Sequence, residues 1–228
     1  ERRVAALFTV FDAWIARLIA QRRVASGEGD LLDRLIAARD PEAGRGLSDR
    51  EVRDQFVTIF IAGHETTAVA LTWTWYLLAL HPQVEARLHA ALEASPDAPP
   101  TYARQVIEEA MRLFPPVPRI PLRQAKAEDE ICGVRIPKGA FVCVAPWVVH
   151  RHRDHWDDPE RFDPDRFAGE RPARYAYLPF GAGPRICIGA SLAMTEAVEV
   201  LCEIARRYRL KLVDPGAVLK LRGAMIEA

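Results

Sequence analysis

The sequence has no excess of either charge. Its 228 residues carry 31 Lys and Arg against 31 Asp and Glu, a formal net charge of zero. Without an electrostatic bias, broad binding to nucleic acid or to an anionic membrane surface is argued against. Cysteine is scarce: four residues, at 132, 143, 187 and 202, with no C-x-x-C pair. That leaves out the usual zinc and redox dithiol spacings. So few Cys do not make a disulfide scaffold and fit a reducing, cytoplasmic compartment. A long apolar run is also missing. The apolar stretch Ala68 to Leu80 is too short for a bilayer span, and His64 and Glu65 interrupt any extension. No charged-then-apolar signal segment stands at the start, which is Glu1 rather than Met. There are no internal repeats. What is present is ordinary globular composition, 50% hydrophobic and 27% charged, in a chain long enough to bury a core. Overall disorder and collagen-like order are excluded.

Arg3 to Ala25 carries Val4, Leu7, Phe11, Ile15, Leu18 and Ile19 at helical spacing, an amphipathic helix. Ser26 to Gly29 is a break, Leu31 to Ala38 a short helix and Pro41 to Gly46 a loop. Ser48-x-x-Glu51 is a capping box ahead of an apolar run. From Asp49 to about Leu80 no proline intervenes, so a helix of about 48 Å is expected there, a central pillar ended by His81-Pro82. Gln83 to Ala94 and Arg104 to Phe114 read as helices, the second stopped by Pro115-Pro116. Glu130 to Ile136 and Ala140 to Ala145 alternate as two strands around Pro137-Lys138-Gly139. His150 to Gly189, roughly 40 residues rich in Pro, Gly and aromatics, has little regular pattern, and a structureless stretch of that length inside a domain is suspect unless it is functional. A last helix covers about Ile188 to Tyr208. The expected class is mainly α with a small β-sheet.

Three places can carry chemistry. The first is Phe180-Gly-Ala-Gly-Pro-Arg-Ile-Cys187-Ile-Gly189. Its glycines permit tight backbone conformations and close approach of another group. Cys187 stands at the entrance to a helix, where free N–H groups and the positive dipole end favour a thiolate. Such a thiolate is a candidate metal or haem-iron ligand; the plainer reading is an inert buried Cys. The second is Ala62-Gly63-His64-Glu65-Thr66-Thr67, within the pillar. A mid-helix Gly is costly, and two adjacent Thr hydroxyls can bond back to carbonyls and bend the helix into a groove. An acid and a hydroxyl at a groove suit proton delivery; a mere packing kink is the alternative. His64-Glu65 begins H-E-x-x-H, but Ala68 occupies the fifth position and the zinc protease reading fails. The third is Glu109-x-x-Arg112, on one helix face, with Arg166 between aromatics in Phe162-Asp-Pro-Asp-Arg166-Phe167. Taken alone, such a pair reads as a solvated bridge.

Together these motifs resemble the C-terminal half of a cytochrome P450. The loop matches F-x-x-G-x-R-x-C-x-G at Phe180, Gly183, Arg185, Cys187 and Gly189; Ala62 to Thr66 matches A/G-G-x-D/E-T; Glu109 and Arg112 match E-x-x-R; and Arg166 matches the meander arginine. Pro159-Glu-Arg161-Phe162 resembles the same meander but lacks the upstream F-x. The likeness covers nearly the whole chain, so 1–228 is expected as a partial domain of that fold, with Glu1 at a cut through a longer protein. Residues Leu221 to Ala228 fit the family's end poorly.

The resemblance implies haem b, with Cys187 as axial thiolate. Covalent c-type attachment is excluded, since C-x-x-C-H is absent. It further implies that Phe180 packs near the sulfur and tunes it, that Gly181 and Gly189 are among the haem-binding residues, and that Arg185 binds a propionate. Arg123 is the second propionate candidate, with Arg119 as its rival. Thr66 would hydrogen-bond dioxygen, Glu65 would relay protons, and Ala62 and Gly63 would leave room for O₂ and substrate. Glu109, Arg112 and Arg166 would form a buried triad holding the scaffold. The implied activity is a monooxygenase acting on a hydrophobic substrate, with electrons from a separate ferredoxin or flavodoxin-type donor; Arg171 and Arg174 could meet an acidic partner. A haem-binding module without turnover and a peroxide-using variant are the alternatives. Cys132 and Cys143 are expected in strands, Cys202 in the last helix, the five Trp in core or interface, and His150, His152 and His155 in a solvated polar cluster.

Overall fold

The structure, a computed structural model, describes residues 2–24 and 29–213, and the side chains from Thr9 onward. The break at Ser26 to Glu28, the side chains of Val4 and Leu7, and the stretch Leu221 to Ala228 lie outside them. The elements in order are α1 (Arg2–Val24), α2 (Leu31–Ala37), α3 (Asp49–Leu80), α4 (Pro82–Ala94), α5 (Thr101–Leu113), β1 (Arg123–Gln124), β2 (Asp129–Ile131), β3 (Val134–Ile136), β4 (Phe141–Val142), α6 (Pro146–Val149) and α7 (Ala190–Arg207). Two 3₁₀ turns, Pro164–Phe167 and Gly183–Arg185, lie in the segment between α6 and α7.

The chain divides into two compact units, Glu1–His64 and Glu65–Ala228, so that α3 belongs to both. In the first, Ile15 and Ile19 of α1 pack with Leu32 of α2 and Val52 of α3. The start of α3 is fixed by the capping box: the Ser48 N–H donates to Glu51 Oε2 at 2.8 Å, and the Glu51 N–H donates to Ser48 Oγ at 3.3 Å. Two of the orphan donors of a helix N-terminus are thereby satisfied reciprocally.

In the second unit the core is built from helical stripes. Val84, Leu88 and Leu92 of α4 face Ala103, Val106, Ile107 and Ala110 of α5, with Met194, Ala197, Leu201 and Ala205 of α7 and Leu77 and Leu78 of α3. The α4 and α7 sets recur at three or four residues, which aligns each on one helix face. Trp73 is buried and stacks on Phe114 with ring centroids 3.9 Å apart.

The strands correct the sequence expectation. Glu130 to Ile136 is not one strand but a hairpin, β2 antiparallel to β3, turning at Cys132 and Gly133. Both turn residues have positive φ, +52° and +77°, as a tight two-residue hairpin requires. Cys132 is therefore a turn residue, and Cys143 lies just beyond β4. The partner of β4 is β1, with Arg123 opposite Val142 and Gln124 opposite Phe141.

Candidate functional site

Helix α5 carries a charged pair into the core. Arg112 and Glu109, one turn apart, are both fully buried, and Arg112 Nε and Nη2 donate to the two Glu109 carboxylate oxygens at 2.7 and 2.9 Å. The rest of the guanidinium holds the irregular segment. Nη1 donates to the carbonyls of His150 at 2.8 Å and Pro159 at 2.7 Å, and Nη2 to that of Arg161 at 3.1 Å. All five guanidinium donors are thus in use. Glu109 Oε1 also accepts from the Asp163 N–H at 2.9 Å, and Arg166 Nε stands 3.4 Å from it. Burial pushes the Glu109 carboxyl pKa up, against the pull of Arg112, Asp163 N–H and Arg166. Arg161, from the competing meander frame, instead directs its side chain to Asp163 at 3.4 Å and stays exposed.

His150 is a correction. Expected in a solvated cluster, it has 0% exposure, whereas His152 and His155 are exposed. The reason is non-local. Its Nε2 lies 2.7 Å from the Leu178 N–H, which can only donate, so Nε2 accepts. Burial, with the charges of Arg112 and Arg151 nearby, lowers its pKa to about 4. The neutral ring then carries its proton on Nδ1, which donates to the Arg112 carbonyl at 3.1 Å. Sequence reasoning missed this residue; the available signal was that it follows Val148-Val149, while His152 and His155 sit among charges.

The Cys187 loop is held at both ends. Gly181 N–H donates to Leu178 C=O at 3.1 Å, and Cys187 N–H to Phe180 C=O at 2.9 Å. Gly181 and Gly183 have φ of +72° and +70°, a region L side chains disfavour. The Phe180 ring packs against the core. Cys187 is a free, exposed thiol. A Cβ on Gly189 would stand 3.9 Å from its sulfur. Beside it Ile186 is exposed, and Ile188 is 91% exposed. Helix α7 starts three residues later behind the N-cap Gly189, which makes no side-chain cap bond.

Arg185, Arg119 and Arg123 are exposed. Arg123 Nη1 donates to the Pro121 carbonyl at 3.2 Å. Among the described residues none of the three has a carboxylate partner. Arg171 does: Nη1 lies 2.8 Å from Glu108 Oε1. Arg174 sits over the ring of Tyr175.

On α3, Ala62 and Gly63 close the first unit and Glu65 and Thr66 open the second. A Cβ on Gly63 would meet nothing within 4 Å. Glu65 is exposed, Thr66 half-buried and Thr67 buried. The expected back-bonding of both Thr hydroxyls does not hold for Thr67, whose Oγ1 has no hydrogen-bond partner among the described residues. Thr72 and Thr74 make such bonds instead, to the Ala68 and Ala70 carbonyls at 2.8 Å. The helix is unbroken through Gly63.

The structure therefore brings together Glu109, Arg112 and Arg166, and sets the Phe180 carbonyl and Gly189 beside Cys187, whereas Gly181 faces Ile120 and the Arg185 carbonyl. Among the described residues no group of three His, Cys, Asp or Glu could hold a metal ion, and no helix is long and apolar enough to cross a membrane.

The family model described as Cytochrome P450 matches residues 1–224. Cyclooctat-9-en-7-ol 5-monooxygenase of Streptomyces melanosporofaciens is 43% identical over 87% of this chain and 46% of its own length. Pentalenene oxygenase of Streptomyces avermitilis is 38% identical over 86% of this chain and 46% of its own. The crystal structure of the cytochrome P450DA heme domain superposes with a TM-score of 0.88 at 34% identity, covering 99% of this chain and 52% of that one. The chain spans about half the length of the curated relatives it matches.

Proposed function

The chain belongs to the cytochrome P450 family, and from that membership we propose that it carries the iron-ligating and oxygen-activating half of a haem-thiolate monooxygenase. Haem is the family's cofactor, and the residues present fit it. The observation that carries the reading is the Cys187 thiol, exposed and free on a loop whose backbone is fixed by the Phe180 carbonyl. Large aliphatics beside it, Ile186 and Ile188, lie uncovered, as suits a surface meant to receive an apolar partner. Arg185 and Arg123 add two cations without carboxylate partners among the described residues.

In this reading Cys187 would supply the thiolate that holds the haem iron. Gly181 and Gly183 let the loop turn without a Cβ, and Phe180 packs between the core and the sulfur. Arg185 and Arg123 would hold the propionates as charge-assisted pairs. When bound, haem b supplies the one-electron and dioxygen chemistry that side chains lack. Glu65, open to solvent, takes up protons and passes them toward the Thr66 hydroxyl. Ala62 and Gly63 keep that stretch of α3 free of bulk. Glu109, Arg112 and Arg166 assemble the scaffold and take no part in the chemistry.

The substrate is a hydrophobic organic molecule, in keeping with the two oxygenases above. Electrons come from a separate ferredoxin or flavodoxin-type donor. The alternative is a haem-binding module without turnover, which the half-length match leaves open.

The test is the carbon monoxide complex of the reduced, haem-loaded chain. A thiolate-type Soret band is expected, and Cys187→Ala should abolish it. A folded, haem-loaded wild-type chain lacking that band would overturn the assignment. With the donor present, Thr66→Ala should lower product formed per electron consumed. Haem binding with the band but no product in any donor system would favour the module.

A further inference from the structure

Three consecutive residues ahead of the Cys187 loop are tied down, two by side chains from elsewhere and one by its own hydroxyl. The Ala176 carbonyl accepts from Trp156 Nε1 at 3.3 Å, the Tyr177 hydroxyl donates to the Glu108 carbonyl at 2.8 Å, and the Leu178 N–H donates to His150 Nε2 at 2.7 Å. Leu178 is also where the loop begins, since its carbonyl accepts from Gly181.

We propose that His150 is a positioning residue for Cys187: its neutral ring bridges the end of α5 to the start of the thiolate loop and sets where the sulfur stands. The inference rests on the haem-thiolate reading. The path is continuous. The Arg112 carbonyl, near the C-terminal end of α5, accepts from His150 Nδ1, and Nε2 accepts from Leu178. From Leu178 the backbone passes through the Gly181 turn to Phe180, whose carbonyl receives the Cys187 N–H.

The chemistry at 150 is demanding. The Arg112 carbonyl has no helical successor to serve it, and the Leu178 N–H is buried with it. The bridging group must donate on one side and accept on the other, in a site closed to water. Lys and Arg cannot accept, and an ionised carboxylate cannot donate. A neutral His does both. Arg112 is committed to five other acceptors and cannot substitute. Removing the ring leaves a buried donor and a buried acceptor unsatisfied at once.

The test compares His150→Phe, His150→Gln and His150→Asn with the wild-type chain. Gln offers a donor and an acceptor with the reach to meet Leu178; Asn serves the Arg112 carbonyl but falls short of Leu178. In the chain without haem, His150→Phe should speed exchange of the Leu178 and Cys187 amide hydrogens by about tenfold or more, leaving the α4 amides slow. In the haem-loaded chain it should convert the thiolate-type carbon monoxide band to a non-thiolate one. His150→Gln should restore both, and His150→Asn neither. Leu88→Ala, a cavity in the same unit, should lower stability yet leave the band in place. The proposal falls if His150→Phe folds with exchange and band unchanged. If Phe does not fold, equal behaviour of Gln and Asn overturns it. Should the wild-type chain itself lack a thiolate-type band, the haem reading fails, while amide exchange still decides whether His150 holds the loop.

Discussion

Glu109 and Arg112 show what a single buried pair can organise. Arg112 makes two hydrogen bonds to Glu109 and three to carbonyls far along the chain. Glu109→Gln leaves the Arg112 charge buried alone and should cost about 3–5 kcal/mol in denaturant unfolding, and Arg112→Lys keeps a charge but gives up at least two of the five hydrogen bonds and should also lower stability. Lys is no conservative exchange here, having three donors and no planar fork. At His150 the prediction concerns pH. Its folded pKa, about 4, lies below the unfolded value of 6.5. Between those values the unfolded chain binds the extra proton. Stability is therefore full above pH 6.5 and falls as pH drops toward 4, by about 3 kcal/mol. Glu109 works in the opposite sense, its raised pKa favouring the protonated folded form. Comparing unfolding curves of wild type and His150→Gln isolates the histidine, and the Gln variant should show the shallower dependence.

At the scale of elements, α3 was the most legible feature, because both of its ends are written locally. Ser48 and Glu51 cap one end, and His81-Pro82 stops the other. Ser48→Ala should cost about 1 kcal/mol, read from thermal unfolding. The strands were read poorly for the complementary reason. Alternation runs through Glu130 to Ile136, but the chain reverses at Cys132, a residue with φ of +52° that no propensity would have placed there. The partner of β4 lies before the hairpin, and pairing across such a separation leaves no local trace. The charge pair on α5 was legible as spacing alone. Its burial was not, since that depends on carbonyls at 150, 159 and 161. His150 was misread likewise, its environment being made by Arg112 and Leu178.

At the scale of the whole molecule, two cores are served by one long helix. Ile15 and Val52 belong to the first and Leu88 and Leu201 to the second, all at 0% exposure. Truncating any of them should cost about 2–5 kcal/mol. The site residues Cys187, Arg185 and Phe180 all lie in the second unit. Leu201→Ala should therefore weaken haem retention, measured by transfer of haem to an acceptor protein, whereas Ile15→Ala should leave it unchanged.

The five-fold grip of Arg112 also dictates an order of events during synthesis. Chains emerge N-terminal end first, at about 5–20 residues per second. Helix α5 leaves the ribosome before any of the carbonyls its guanidinium will hold at 150, 159 and 161. In that interval Arg112 has Glu109 alone as its partner on α5. The irregular segment then arrives at a prepared template, and the cysteine loop and α7 follow it. A ribosome pausing between residues 113 and 149 would hold the nascent protein with its anchor made and nothing yet attached to it.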